Sequence, residues 1–201
     1  MVQPDNSDCR GIRRIVIVGI SGTGKSRLGV TLAEKTGLTL HQMDSLIWGP
    51  DWMETPADHI RAALARISTQ DNWIVEGWID HYSQDILRRS DAILYLDYPG
   101  WLAAYGALRR WFTYRGRTRP EMPAGCTETL DAGFLRTLLL RKERPHIERM
   151  LHDIPQTTII RVRSRQATQR LLSDLVCGVI TPPGAPPATM AAAAHDPDRR
   201  G

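Results

Sequence analysis

The stretch that decides the fold runs from Arg13 to Ser26 and reads RRIVIVGISGTGKS. Its four consecutive β-branched residues predict a short buried strand. The glycine-rich segment 19–26 follows directly and has the spacing G-x-x-x-x-G-K-[ST], in which backbone N–H groups surround phosphate oxygens. A strand before this motif and an amphipathic stretch after it are the context that the motif requires. The sequence therefore predicts a phosphate-binding loop, or P-loop, at residues 19–26.

Each position of the loop has a chemical task. The helix that follows points its positive dipole end at the anion. Lys25 is expected to reach the β- and γ-phosphates, and the Ser26 hydroxyl is expected to ligate Mg²⁺. We therefore expect MgATP as the bound nucleoside triphosphate, with MgGTP as the alternative. The predicted nucleotide-binding residues are Gly19, Ile20, Ser21, Gly22, Thr23, Gly24, Lys25 and Ser26.

Short apolar segments alternate with amphipathic stretches along the rest of the chain. The predicted strands are Arg13–Val18, Leu38–Gln42, Trp73–Glu76, Ala92–Leu96 and Thr157–Val162. The predicted helices begin near Lys25, Pro56, His81, Gly100, Asp131 and Arg165. Continuous apolar runs of strand length are typical of strands buried on both faces of a parallel sheet. The alternation predicts an α/β fold of the P-loop NTPase type, with a doubly wound parallel five-stranded sheet and flanking helices.

The chain divides into three parts by composition. Residues 1–12 are polar and irregular, which predicts a flexible arm, and residues 13–178 carry the alternating pattern of a single domain. Residues 179–201 form a predicted disordered tail rich in proline and alanine. Positions 181–201 alone hold five of the thirteen prolines and show no periodic apolar face.

Composition predicts a cytoplasmic globular protein. The 201 residues are 42% hydrophobic, which suits a packed core. The three cysteines are scattered and the histidines show no ligand spacing, so we expect neither a disulfide framework nor a zinc site. No apolar run reaches the length of a signal-peptide core or a membrane span. A formal net charge of +4 is too small to indicate nucleic-acid binding by itself.

Several segments beyond the loop resemble a known family. These segments are His41–Trp48 (HQMDSLIW), Pro50–Trp52 (PDW), Trp73–Gly77 (WIVEG), Leu94–Pro99 (LYLDYP) and Tyr114–Met122 (YRGRTRPEM). Together they resemble the bacterial P-loop family labelled DNA topology modulation proteins, which is similar to adenylate kinases and other small-molecule kinases. The resemblance extends from about Arg13 to Leu175. It implies a kinase-like fold, and it leaves the phosphoryl acceptor unidentified.

Two acidic residues are candidates for the catalytic site. Asp44 follows the second predicted strand, at the sheet edge where open α/β folds bind ligands. The resemblance implies that it orients the acceptor hydroxyl or a Mg²⁺-bound water; the alternative is an aspartate that forms a turn or caps a helix. Glu76 ends the third strand at the same edge and could hold a Mg²⁺-bound water or form a structural salt bridge. The family often carries Asp-Gly here, whereas this chain has Glu76-Gly77. Asp97 is left out of the site, because an acid is favoured before a helix in any case.

An arginine-rich segment is the third candidate part of the site. Residues 109–119 hold five arginines and no acid, and Gly116 and Pro120 predict a mobile loop. In the adenylate kinases and small-molecule kinases that this chain resembles, a basic lid closes over the transferred phosphoryl group. We therefore predict a lid at about 109–125. Arg115 and Arg119 are its predicted catalytic arginines, because a guanidinium donates in pairs to phosphate oxygens. A contact with nucleic-acid backbone and a solvated surface are the alternatives.

Several other arginines and tryptophans have more general predicted roles. Arg141 and Arg144, on the helix after the lid, could form a second phosphate clamp. Trp48 and Trp52 could line the acceptor pocket. Two tryptophans on the helix before the lid, Trp101 and Trp111, are expected in the core.

The resulting functional prediction is an adenylate-kinase-like phosphotransferase. It would transfer the γ-phosphoryl group of MgATP to a nucleotide or another small molecule that the sequence does not identify. The alternative is a nucleic-acid-associated NTPase that affects DNA topology, although no recognition helix or zinc finger is evident. A non-catalytic nucleotide sensor is less favoured, because Lys25 and Ser26 are both present.

Overall fold

The computed structural model describes residues 12–154 and 157–178, with side chains described as far as Leu175. The predicted tail at 179–201 and residues 1–11 of the predicted arm lie outside the described residues. Ile12, the last residue assigned to the arm, is 6% exposed and packs with the core. Ile12 therefore belongs to the packed domain.

Five parallel strands form one sheet in the order β2-β3-β1-β4-β5. Their bounds are β1 Arg14–Val18, β2 Leu40–Gln42, β3 Trp73–Glu76, β4 Ala92–Leu96 and β5 Thr158–Val162. The register places Ile15 beside Ile74 of β3 and Ala92 of β4, so β1 is the central strand. The predicted parallel five-stranded sheet is confirmed. Its strand order makes the carboxyl ends of β1, β2 and β3 neighbours at one edge.

The three inner strands and the two edge strands differ in burial. β3 and β4 are buried along their whole length, and β1 is buried except at its first residue. All three residues of β2 are half-buried, and Ile159 of β5 is 37% exposed. The expectation that the strands are buried on both faces is therefore wrong for β2 and β5, because an edge strand has a neighbour on one side only.

Eight helices surround the sheet within the described residues. They are α1 Lys25–Thr36, α2 Met43–Ile47, α3 Ala57–Ser68, α4 Gln84–Arg89, α5 Gly100–Tyr114, α6 Ala132–Leu139, α7 Arg144–His152 and α8 Arg165–Gly178. Short 3₁₀ turns at Pro50–Trp52 and His81–Ser83 precede α3 and α4. Within these described parts of the chain, no helix is long and apolar enough to span a membrane.

The sheet separates two apolar cores. Alternate residues of β1 enter opposite cores, with Val16 and Val18 on one face and Ile15 and Ile17 on the other. Residues of α3, α4 and α7 complete the first core, and residues of α1 and α8 complete the second. This two-sided packing fixes β1, and therefore the loop that follows it, in a rigid frame.

Helix α5 packs directly against the P-loop. A Cβ atom on Gly22 would lie 2.1 Å from the carbonyl oxygen of Ala103, and one on Gly106 would lie 2.0 Å from the carbonyl oxygen of Gly22. Because only small residues permit this approach, α5 buries glycine and alanine and turns its large side chains outward. Trp101 is 66% exposed and Trp111 is half-exposed, so the expectation that both are core residues is wrong.

Candidate active site

The P-loop lies between the end of β1 and the first turn of α1. Gly22 and Gly24 have φ angles of 78° and 90°, in the left-handed region that glycine adopts without strain. Gly24 is the N-cap residue of α1, where no side chain caps the helix and no acidic residue lies in the first turn. The N–H groups of that turn and the positive end of the helix dipole are therefore directed at the loop. This arrangement is suited to binding phosphate.

The Lys25 side chain lies against the loop. Its Nζ donates to the carbonyl oxygen of Ile20 at 3.2 Å. Burial lowers the pKa of this ammonium group, while the nearby carboxylates of Glu76, Asp44 and Glu143 oppose that shift. Phosphate oxygens held by the loop would add further negative charge beside the lysine and stabilise its charged form.

Glu76 is a buried acid beside the loop. It is the last residue of β3 and is 3% exposed. Burial raises its pKa, while Lys25, the Ser26 side chain and Gln42 favour its charged form. Gln42 Nε2 donates to Glu76 Oε1 at 3.2 Å. The Glu76 carboxylate therefore lies near Lys25 and Ser26, the loop residues that the motif assigns to phosphate and to Mg²⁺.

Asp44 lies in the first turn of α2, immediately after β2. Its side chain is 38% exposed, and its Oδ2 lies 3.9 Å from the guanidinium of Arg119. The N-cap of α2 is Gln42 and no side-chain hydrogen bond caps that helix, so Asp44 does not act as its cap. The fold therefore brings Asp44, Glu76 and the P-loop lysine near one another at the carboxyl edge of the sheet, and this region is called the cleft below.

The arginine-rich segment is only partly a loop. Helix α5 continues to Tyr114, so Arg109 and Arg110 are helical and the connecting loop starts at Arg115. The predicted loop at 109–119 is therefore wrong for its first six residues, because the breaker Gly116 lies beyond them. The second half of the predicted lid is anchored: Arg119 and Met122 are each 7% exposed, and Cys126, which follows the lid, is 0% exposed.

A buried ion-pair network connects this segment to the P-loop. Arg119 Nε lies 2.8 Å from Glu128 Oε2, without the alignment of a hydrogen bond, and Arg119 NH1 donates to Glu121 Oε1 at 3.3 Å. Arg110 Nε donates to Glu128 Oε1 at 2.7 Å, and its NH1 donates to Ser21 Oγ at 3.3 Å. Glu128 thus joins both arginines, and Arg110 contacts the loop itself.

Sequence reasoning chose Arg115 and Arg119 and missed Arg110 and Glu128. Arg115 is exposed and lies over the ring of Trp111, 5.0 Å from its centroid, outside the buried network. Helical spacing along α5 could have selected Arg110, because it lies one turn after Gly106, which packs on the loop. Glu128 had no local signal, since its role depends on contacts made by tertiary folding.

Asp97, excluded at the sequence level, is the centre of an arginine cluster. Its side chain is 3% exposed and pairs with Arg141, which forms the tightest contact, and with Arg144 Nε at 3.1 Å. Arg161 and Arg163 from the end of β5 lie 3.6 and 3.7 Å from Asp97 Oδ2. These contacts tie the end of β4 to the start of α7 and the end of β5.

The two arginines suggested as a second phosphate clamp therefore face Asp97. Arg141 lies in the turn between α6 and α7 with a φ of 52°, and not on a helix as expected. Glu143 lies between Arg141 and Arg144 in the sequence, and its Oε2 accepts a hydrogen bond from the backbone N–H of Ser21 at 3.4 Å. The Asp97 cluster thus holds the start of α7 against the rim of the P-loop.

Replacing the central carboxylate should destabilise the fold. Asp97→Asn keeps the side-chain shape and leaves the surrounding arginines without their buried counter-charge, so the free energy of unfolding should fall by roughly 2–4 kcal/mol. This expected loss of stability is somewhat below the range for fully buried ion pairs, because the arginines around Asp97 are partly exposed. Urea denaturation measures the change.

The control is Asp58→Asn, which removes an exposed pair with Arg61 at 2.7 Å and should have little effect. Equal stability of the two variants would show that Asp97 does not organise this region.

Comparisons with known proteins agree with the observed fold. No family model matches the sequence, and no curated protein matches it. A gluconokinase from Sinorhizobium meliloti 1021 is 19% identical with a TM-score of 0.52, covering 85% of this chain and 93% of that one. A shikimate kinase from Acinetobacter baumannii is 18% identical with a TM-score of 0.52, covering 86% and 98%. A shikimate kinase from Bacteroides thetaiotaomicron is 14% identical with a TM-score of 0.52, covering 82% and 97%.

These similarities show that the chain has the fold of P-loop small-molecule kinases. They confirm the predicted α/β P-loop architecture over most of the chain. They do not support the more specific resemblance to DNA topology modulation proteins.

Proposed function

We propose that the protein is a small-molecule kinase that transfers the γ-phosphoryl group of MgATP to a hydroxyl group of its acceptor. The observation that carries the proposal is the meeting of Lys25, Glu76 and Asp44 in one cleft beside the P-loop. The cleft lies at the carboxyl edge of the sheet, where open α/β folds bind ligands. The gluconokinase and shikimate kinase structures support a small molecule as acceptor.

The residues of the P-loop fit a triphosphate with its metal ion. Backbone N–H groups of residues 19–26 would hold the phosphates, and Lys25 would reach the β- and γ-phosphates. The Ser26 hydroxyl and the Glu76 carboxylate beside it are oxygen donors of the kind that Mg²⁺ prefers. Ser26 would bind the ion directly, and Glu76 would accept from one of its waters. Bound there, the ion would neutralise charge on the phosphates.

We assign to Asp44 the role of orienting the acceptor. Its carboxylate is partly open to the cleft, so it can accept the proton of an acceptor hydroxyl that attacks the γ-phosphoryl group. Arg110 contacts the loop at Ser21 and can stabilise the charge that develops on the transferred group. Arg119 pairs with Glu128 and lies 3.9 Å from Asp44, and Arg115 is an exposed arginine that could approach on closure.

The nucleic-acid-associated alternative is less well supported. Contact with a nucleic-acid backbone needs accessible arginines, and two of the five in this segment, Arg110 and Arg119, are held in ion pairs with Glu128. The scattered cysteines and the requirement for ATP favour the cytoplasm as the place of reaction. A change in the rate of ATP turnover on addition of DNA would favour the resemblance to DNA topology modulation proteins.

The role of Asp44 can be tested by steady-state kinetics. Asp44→Asn should lower kcat by about 10²- to 10⁴-fold, the range for loss of a catalytic base, while the affinity for MgATP changes little. ADP release in the presence of the best acceptor of a small-molecule panel gives kcat. Asp85→Asn, at an exposed position on α4, is the control. A kcat within twofold of wild type for Asp44→Asn would exclude the proposed role.

A further inference from the structure

The arginines of the cleft have internal counter-charges. Arg119 is 7% exposed and pairs with Glu121 and Glu128, while Arg110 pairs with the same Glu128 at 2.7 Å. Glu128 is itself 6% exposed. A carboxylate or phosphate on an acceptor would therefore have to compete for these guanidinium groups with glutamates that are shielded from water.

The ion-pair set around Arg119 has one more carboxylate than it has guanidinium groups. Arg110 and Arg119 supply two positive charges, and Asp44, Glu121 and Glu128 supply three negative charges, so the sum is −1. Lys25 and Glu76 belong to the nucleotide side and cancel each other. An anionic acceptor would face repulsion from this set in addition to the charge of the triphosphate.

An aromatic pair borders the same segment. The rings of Trp48 and Trp52 meet edge to face at 5.5 Å, and Trp52 remains 37% exposed. The backbone N–H of Trp52 donates to Cys126 Sγ at 3.4 Å, and Trp52 has a φ of 61°, which a bulky residue rarely adopts. The loop that carries Glu121 and Glu128 thus holds an aromatic face in a strained, partly open position.

Building on the proposed kinase function, we infer that the acceptor is an uncharged polyhydroxylated molecule of the sugar, cyclitol or polyol class. Its hydroxyl groups would donate to the carboxylates of the cleft, and its C–H face would pack on Trp52. Glu121 and Glu128 would exclude acceptors that carry a carboxylate or a phosphate. This specificity differs from that expected for gluconate or shikimate, both of which are carboxylates.

Matched acceptors test the inference directly. Each pair differs chiefly in one anionic group: D-glucitol and D-gluconate, methyl shikimate and shikimate, adenosine and AMP. Acceptor-dependent ADP release from MgATP is measured for all six. We expect the uncharged member of a pair to have the larger kcat/KM by about tenfold or more.

A larger kcat/KM for the anionic members would overturn the inference and leave the kinase proposal intact. Transfer to no uncharged member by protein that binds MgATP would also overturn it. Failure to bind MgATP at all would instead contradict the proposed function.

Variants that neutralise one carboxylate each test whether Glu121 and Glu128 cause the selection against anionic acceptors. Glu121→Gln and Glu128→Gln should each raise kcat/KM for the anionic member relative to its uncharged partner, because Arg119 loses a counter-charge. Glu121 is the more exposed of the two and the safer variant for folding. Glu34→Gln, an exposed position on α1 with the same change of charge, should leave the ratio unchanged. A ratio that is equal in all three variants would contradict the assignment to Glu121 and Glu128.

Discussion

Lys25→Ala is expected to remove nearly all of the thermal stabilisation that MgATP gives to the wild-type protein. A ligand present at 100 times its Kd stabilises the native state by about 2.7 kcal/mol, which is several degrees in Tm for a domain of this size. Lys25 supplies a positive charge beside the loop, so its loss should weaken nucleotide binding and phosphoryl transfer together. The variant should show a shift of less than about one degree at the same MgATP concentration.

The unliganded stability of this variant provides a second observation. Desolvation lowers the pKa of Lys25, so its ammonium group is poorly solvated without phosphate. Removing it ends that desolvation cost but also takes a counter-charge from the buried Glu76, so the unliganded Tm should change little. Lys35→Ala, an exposed position at the end of α1, should retain the full MgATP shift. A full shift in Lys25→Ala would show that residues 19–26 are not the nucleotide site.

Arg119→Ala is expected to lower both stability and turnover. Its removal leaves Glu121 without this partner and Glu128 paired with Arg110 alone among the two arginines, which should reduce the free energy of unfolding by about 3 kcal/mol. It also releases Asp44, so turnover should fall by on the order of 10²-fold or more, the scale for loss of one group from a preorganised site. Arg119→Lys should restore little, because an ammonium group cannot bridge several carboxylates as a planar guanidinium does.

Arg115→Ala separates the two effects. Arg115 is exposed and lies on Trp111, so its removal should leave stability nearly unchanged. If Arg115 closes over the transferred phosphoryl group as proposed, turnover should still fall by on the order of 10²-fold, with a much smaller change in MgATP affinity. Unchanged turnover combined with a weaker salt dependence of DNA binding would support the nucleic-acid alternative instead.

The parts of the fold that the sequence predicted depend on local patterns. The P-loop spacing, the strand before it and the alternation of short apolar runs with amphipathic stretches are read within windows of a few residues. They were sufficient for the parallel sheet, whose inner strands Trp73–Glu76 and Ala92–Leu96 match their predicted bounds. The burial of the edge strands β2 and β5 was predicted wrongly, because the sequence of a single strand does not show its position in the sheet.

The parts that the sequence did not predict depend on long-range contacts. Asp97 is buried among arginines that follow it by 44 to 66 residues, so its neighbours could not be inferred from spacing. Trp101 faces solvent because α5 approaches the P-loop through glycine and alanine, a preference that the helix pattern alone does not reveal. Glu128 joins Arg110 and Arg119 only after the loop folds back on α5.

The fate of the γ-phosphoryl group of ATP tests the central claim most directly. Phosphorus NMR can follow wild-type protein, MgATP and a panel of polyhydroxylated acceptors in one sample. The kinase proposal predicts a new phosphomonoester signal that grows in equal amount with ADP, and its loss in Lys25→Ala. Release of inorganic phosphate alone, at a rate that no small molecule changes, would contradict phosphoryl transfer to an acceptor.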